Sequence, residues 1–104
     1  MMKTYTPFCE PQDEFELQLI AHENLLQEEE IIFAGHSHSC DLCGASFNNK
    51  RLMLDACLDG EKNAWGCICS RCFIKYDCTM GPRKGQMFTH LQSGEWLLTA
   101  GYDQ

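Results

Sequence analysis

CDLCG (residues 40–44) and CSRCF (residues 69–73) each set two cysteines three positions apart, and the reading of these two pairs decides the fold. A C-x-x-C turn presents two sulfurs to one point, and two such turns supply the four ligands of a tetrahedral zinc site. Twenty-five residues lie between Cys43 and Cys69. That length suits a β-hairpin that folds back and carries the second pair to the first. Gly44 directly follows the first pair and relieves the tight turn of a metal knuckle. Cys40, Cys43, Cys69 and Cys72 are therefore expected to hold one structural Zn2+ ion. The competing readings are buried apolar cysteines or two disulfides, but buried cysteines seldom repeat this spacing.

The chain has eight cysteines in 104 residues, the size of one small domain whose core benefits from a staple. Compartment separates disulfide from metal. The start, MMKTYTPFCEPQDEFE, lacks the basic, apolar and small-residue succession of a secretory signal. The longest unbroken apolar run is Ile31 to Ala34, too short to span a membrane. A reducing cytoplasm is the expected location, where paired cysteines signify metal. Cys9, Cys57 and Cys78 then read as core residues or free thiols. Cys67, on a strand, points to the side of Cys69 and could replace it as a ligand or lie just behind the ligands. His36 and His38 could complete a mixed shell, although four cysteines already close one.

Pro11 to Glu30 contains no glycine and no internal proline, and Phe15, Leu19, His22 and Leu26 recur at helical spacing. Asp13 is the expected N-cap, with Glu16 completing a capping box; the three glutamates at 28–30 oppose the helix dipole and place the end near Gln27. EIIFAGH (30–36) reads as a short strand or extended lead-in. RLMLDACLDG and AWGCIC read as one hairpin turning at Asp59-Gly60, with Leu52, Leu54 and Ala56 on one side. SRCFIKYDC suits a short helix, ended by the glycine and proline of MGPRKG. QMFTHLQSGEWLLTA reads as a second hairpin. A two-residue Ser93-Gly94 turn would set Leu91 opposite Trp96, Thr89 opposite Leu98 and Met87 opposite Ala100. The expected class is thus α+β: a small zinc-stapled domain at 36–104, zinc-ribbon or treble-clef-like, with two β-hairpins and a short helix, preceded by an acidic helical segment at 1–35.

CDLCG, then LDG, WGCICSRCF and GPRKGQ in that order resemble small zinc-ribbon-like proteins of bacteria and their phages. These carry a C-D-x-C-G knuckle, a W-x-x-x-C-x-x-C-F knuckle and a G-x-x-K-G-Q tail. The resemblance covers residues 40 to about 88 and implies metal ligation by Cys40, Cys43, Cys69 and Cys72. It implies a fold and a metal rather than a reaction, and the acidic segment before residue 36 has no counterpart in it.

The formal charge of −7 is unevenly placed: residues 1–35 hold eight acids against Lys3, whereas residues 36–104 hold seven of each sign. An enzyme is not expected. Four cysteines leave a zinc no open position, no H-x-E or C-x-E triplet precedes Cys69 as a deaminase would require, and no phosphate loop or H-E-x-x-H occurs. The expected role is protein–protein interaction. An acidic face with Glu23, Glu28, Glu29 and Glu30 would meet a basic or nucleic-acid-binding protein, as an inhibitor carried by a phage or mobile element would. The alternative is a nucleic-acid-binding regulator using Arg71, Lys75, Arg83 and Lys84, interleaved with Phe73, Tyr76 and Phe88. A chain of pI near 4.9 repels a polyanion over most of its surface, which disfavours it. A homo-oligomer is compatible with this reading.

Overall fold

Leu52, Met53 and Leu54 form an apolar run that alternation alone does not explain, and their place in the sheet accounts for it. The computed structural model describes residues 5–23, 30–35, 38–58 and 65–101. Strand β1 (Leu52–Cys57) pairs antiparallel with β2 (Trp65–Ile68), and β3 (Gly85–His90) with β4 (Trp96–Ala100). The two hairpins then join through β1 and β3, giving one antiparallel sheet in the order β2-β1-β3-β4. Among the described residues, two short helices complete an α+β fold: α1 (Glu14–Leu19), continued by a 3-10 turn at Ile20–His22, and α2 (Ser70–Lys75). As an interior strand, β1 is covered on both faces. Leu52 and Leu54 lie opposite Thr89 and Met87, while Met53 lies opposite Phe88 on the other face, and all three side chains are fully buried.

The second hairpin differs in its turn from the expectation. Asp59-Gly60, the expected turn of the first hairpin, falls outside the described residues. In the second hairpin the N–H of Leu91 donates to the carbonyl of Glu95 at 2.8 Å, so the loop has three residues. Gly94 takes the left-handed conformation (φ 92°) that such a loop requires. Trp96 therefore faces His90 rather than Leu91, and Leu98 faces Phe88 rather than Thr89. A bulge between Met87 and Phe88 then restores Met87 to Ala100.

The helix starts as expected and ends early. Asp13 caps α1, its Oδ1 accepting the N–H of Glu16 at 2.8 Å. Glu16 does not simply close a capping box. It is 1% exposed, with Oε1 accepting from the N–H of Gln12 at 2.8 Å and Oε2 from the N–H of Leu52 at 2.7 Å. The carboxylate thereby joins α1 to the first residue of β1. Leu19 reaches the core while Leu17 and His22 are exposed, and Glu23 leaves the helical conformation (ψ 131°).

Residues before Gly35 share the sheet and core of the residues after it. Ile32 bridges Leu97, the N–H of Phe33 donates to Trp96 O, and the N–H of Leu98 to Ile31 O, which covers the outer edge of β4. Arg51, just before β1, donates twice to Glu23 (2.9 and 3.2 Å) and once to the carbonyl of Cys9 (3.1 Å). Thr89 Oγ1 donates to the same carboxylate at 2.7 Å and meets Thr99 Oγ1 at 3.0 Å. The imidazole of His90 is stacked between Phe8 and Trp96, with ring centroids 4.5 and 4.2 Å away.

Candidate metal centre

The first knuckle closes through its backbone. The N–H of Gly44 donates to Cys40 O at 2.9 Å, possible because Gly44 adopts φ 79°, and the N–H of Cys40 donates to Ala45 O at 2.8 Å. Inside this turn the N–H groups of Leu42 and Cys43 point at Cys40 Sγ, at 3.4 and 3.5 Å. The second pair begins α2. Cys69 is its N-cap in extended conformation and Cys72 lies in its first turn, so one helical turn brings both sulfurs to one side.

Asp41 docks one knuckle on the other. Its N–H donates to Cys67 O at 2.9 Å, and its Oδ2 accepts from the N–H of Cys67 at 2.9 Å. This two-bond clasp resembles an extra strand pairing on the edge of β2, and it places Cys40 and Cys43 beside Cys69. Gly66 makes the approach possible, since a Cβ there would lie 3.2 Å from Asp41 Oδ2 and 3.1 Å from Leu58 Cδ1.

The sulfurs of Cys40, Cys43, Cys69 and Cys72 lie within 4.8 Å of one another, with Cys43 and Cys69 3.8 Å apart. A disulfide would need about 2.05 Å. A tetrahedron of sulfurs at the usual Zn–S length of about 2.3 Å has edges of about 3.8 Å. The donor set thus fits a metal ion. Cys40, Cys69 and Cys72 are buried and Cys43 is exposed at the rim. Burial acts to raise the Cys40 thiol, but the surrounding N–H donors of Cys43, Cys69 and Leu42 outweigh it and bring it down to about 7. Burial pushes the Cys69 and Cys72 thiols up, and the neighbouring sulfurs add to this. Four adjacent thiols cannot all ionise unaided. A divalent cation removes that conflict by neutralising two of the four charges.

The four cysteines assigned from sequence are the four that converge. Cys67 is half-buried behind them and takes part through its backbone, while exposed His38 lies outside the cluster and His36 lies outside the described residues. Asp41 and Gly66 were not singled out as functional, although the acid inside the first knuckle and the glycine before the second were visible signals. Of the acids assigned to a partner, Glu23 is engaged with Arg51, Glu30 is exposed, and Glu28 and Glu29 lie outside the described residues. Arg71 and Lys75 are exposed on α2, with Lys75 Nζ 5.6 Å from the centre of the Tyr76 ring. Arg83 and Lys84 are exposed on the turn before β3. Comparison with family models, curated proteins and solved structures finds no match to this chain.

Proposed function

We propose that this is a non-catalytic zinc-binding protein whose ion is structural and whose surface acts through protein–protein contact. The closed set of four cysteine sulfurs carries this reading. A catalytic zinc keeps a position for water and takes three protein ligands, and four sulfurs leave no such position. Thiolate selects zinc among the common divalent ions more than oxygen donors do. Of the two zinc-stapled architectures expected, the placement of the second pair at the start of α2 favours the treble-clef-like one over a ribbon. Here Cys40, Cys43, Cys69 and Cys72 hold the ion, and Asp41 orients the first knuckle. Elemental analysis of the purified protein is expected to give one zinc per chain. A fully folded sample free of metal would overturn the assignment.

The partner we propose is a basic protein, such as one that binds nucleic acid, engaged by the acidic N-terminal third. The uneven charge supports this: of the acids in residues 1–35, Glu10, Glu14 and Glu30 remain exposed after Asp13, Glu16 and Glu23 have taken internal partners. The resemblance to small zinc-ribbon-like proteins of bacteria and their phages fits an inhibitor of a host nucleic-acid-binding system. Reversal of Glu28, Glu29 and Glu30 to lysine is expected to reduce capture of a basic partner and leave zinc content unchanged. Capture should also weaken with salt. A second reading, nucleic-acid binding through Arg71, Lys75, Arg83 and Lys84, draws support from the exposure of all four, with Lys75, Arg83 and Lys84 near exposed Tyr76. Tight gel-shift binding at physiological salt, lost when those four are replaced, would put that reading first.

A further inference from the structure

Two more thiols line one cleft outside the metal cluster. Cys57 ends β1, and its N–H donates to the carbonyl of Lys84 at 2.9 Å. The next ladder position pairs Ala56 with Gly85, and the N–H of Gly81 donates to Gly85 O at 2.9 Å. Thr79, the neighbour of Cys78, lies against this glycine so closely that a Cβ at residue 85 would be 2.5 Å from its carbonyl oxygen. The end of β1 and the segment after α2 are thus held together. Cys57 and Cys78 line one cleft of about 470 Å3, both half-buried and both thiols. The cleft also takes in Tyr76, Asp77, Arg83 and Lys84, so two cations stand against one carboxylate.

We infer that Cys57 and Cys78 form a second thiol site, separate from the metal ligands, that reacts with an anionic low-molecular-weight disulfide of the glutathione class and closes to a Cys57–Cys78 disulfide. The cations of Arg83 and Lys84 draw the anionic reagent into the cleft. Burial, followed by the charges of Cys57 and Asp77, pushes the Cys78 thiol up, so Cys78 keeps its proton at rest and Cys57 attacks first. Cys57 loses its proton to water, and its thiolate forms a bond to one sulfur of the reagent. The reagent's S–S bond breaks, and the leaving thiolate carries away the electron pair. Cys78, deprotonated in turn, attacks the Cys57 sulfur of the mixed disulfide and expels the second thiol. Two protein thiols are oxidised and one disulfide is reduced to two thiols. The loop so closed contains β2, Cys69, Cys72 and α2.

The test treats the purified full-length protein with oxidised glutathione and follows intact mass, cross-linked peptides and metal content. This inference is independent of any partner, and the metal measurement separates its failure from failure of the zinc assignment. The expected product has lost the mass of two hydrogens, with residues 57 and 78 in one cross-linked peptide and metal content unchanged. Cys78→Ser is expected to stop at one glutathione on Cys57. Cys78→Ala gives an independent reading if the serine variant fails to fold. Arg83→Glu with Lys84→Glu is expected to slow the reaction about tenfold at low salt, and to leave the rate with the uncharged hydroxyethyl disulfide unchanged. A disulfide mapped to any other cysteine, a mixed disulfide that persists in the unaltered chain, or equal slowing with both reagents would overturn the inference.

Discussion

A Cβ at Gly66 would fit tightly, 3.1 Å from Leu58 Cδ1 and 3.2 Å from Asp41 Oδ2, so these side chains must shift to admit it. Gly66→Ala should displace the Asp41 carboxylate from the N–H of Cys67 and destabilise the fold by about 1–3 kcal/mol, measured by denaturant unfolding. Asp41→Ala removes the clasp without crowding, and groups that orient metal ligands change affinity by about 10–100-fold. Competition with a chromophoric chelator should show that loss; unchanged affinity would mean that the knuckles dock without Asp41. Glu16 is the other residue whose role exceeds its sequence reading. Glu16→Ala leaves the N–H groups of Leu52 and Gln12 without their acceptor, at a cost of about 1–3 kcal/mol for each one buried. Burial also raises its carboxyl above its ordinary value, outweighing those two N–H donors. A folded value above the unfolded one means the fold takes up a proton between the two. Its contribution is therefore complete below the unfolded value and is lost as pH rises through the folded one. Glu16→Gln should flatten the stability–pH curve in the acid range, which unfolding at a series of pH values would reveal.

At the scale of elements, the second hairpin shows how one residue resets a register. Gly94 at φ 92° makes a three-residue loop, and each pairing from Trp96 inward moves by one position until the bulge restores Met87 to Ala100. Composition marked a turn at Ser93-Gly94 correctly, but two- and three-residue loops use the same residues, and the packing of Trp96 on His90 and Phe47 distinguishes them. Gly94→Ala should cost about 1–2 kcal/mol, because a Cβ disfavours the left-handed conformation. Leu98→Ala, which empties a buried site facing Phe88, should cost about 2–5 kcal/mol. Thermal unfolding of the two variants should therefore rank Leu98 well above Gly94; the reverse order would contradict the placement of Leu98 in the core.

For the whole molecule, metal and fold should be one equilibrium. The knuckle residues Cys40, Cys69 and Cys72 belong to the same hydrophobic cluster as Leu54, Ile68 and Met87, so chelation should lower the unfolding temperature of the entire sheet in one transition. A lowered melting point confined to a minor phase would show that the sheet stands without the ion. Metal affinity should also fall with acid. The Cys69 and Cys72 thiols are raised by burial, and binding must displace their protons, so affinity should drop by more than about tenfold per pH unit below pH 7. A chelator titration at several pH values checks the slope.

The sequence by itself determined the four cysteines that converge, the α+β class and the strands of both hairpins. These are local or composition-level features: a C-x-x-C spacing fixes two sulfurs within one turn, and glycine-marked turns separate short apolar runs. It could not determine how far α1 extends. Helical periodicity continues to Leu26, but the buried tie from Glu16 to Leu52 and the ion pair from Glu23 to Arg51 fit a helix that ends after Leu19. Nor could it show that β1 pairs with β3, or that residues 31–33 cover β4. Those contacts join residues far apart in the chain, from Ala56 with Gly85 upward, where backbone N–H and C=O groups are alike in every residue except proline. Only the burial of both faces of β1 and the satisfaction of the exposed edge of β4 select the partners, and both exist only once the chain is folded.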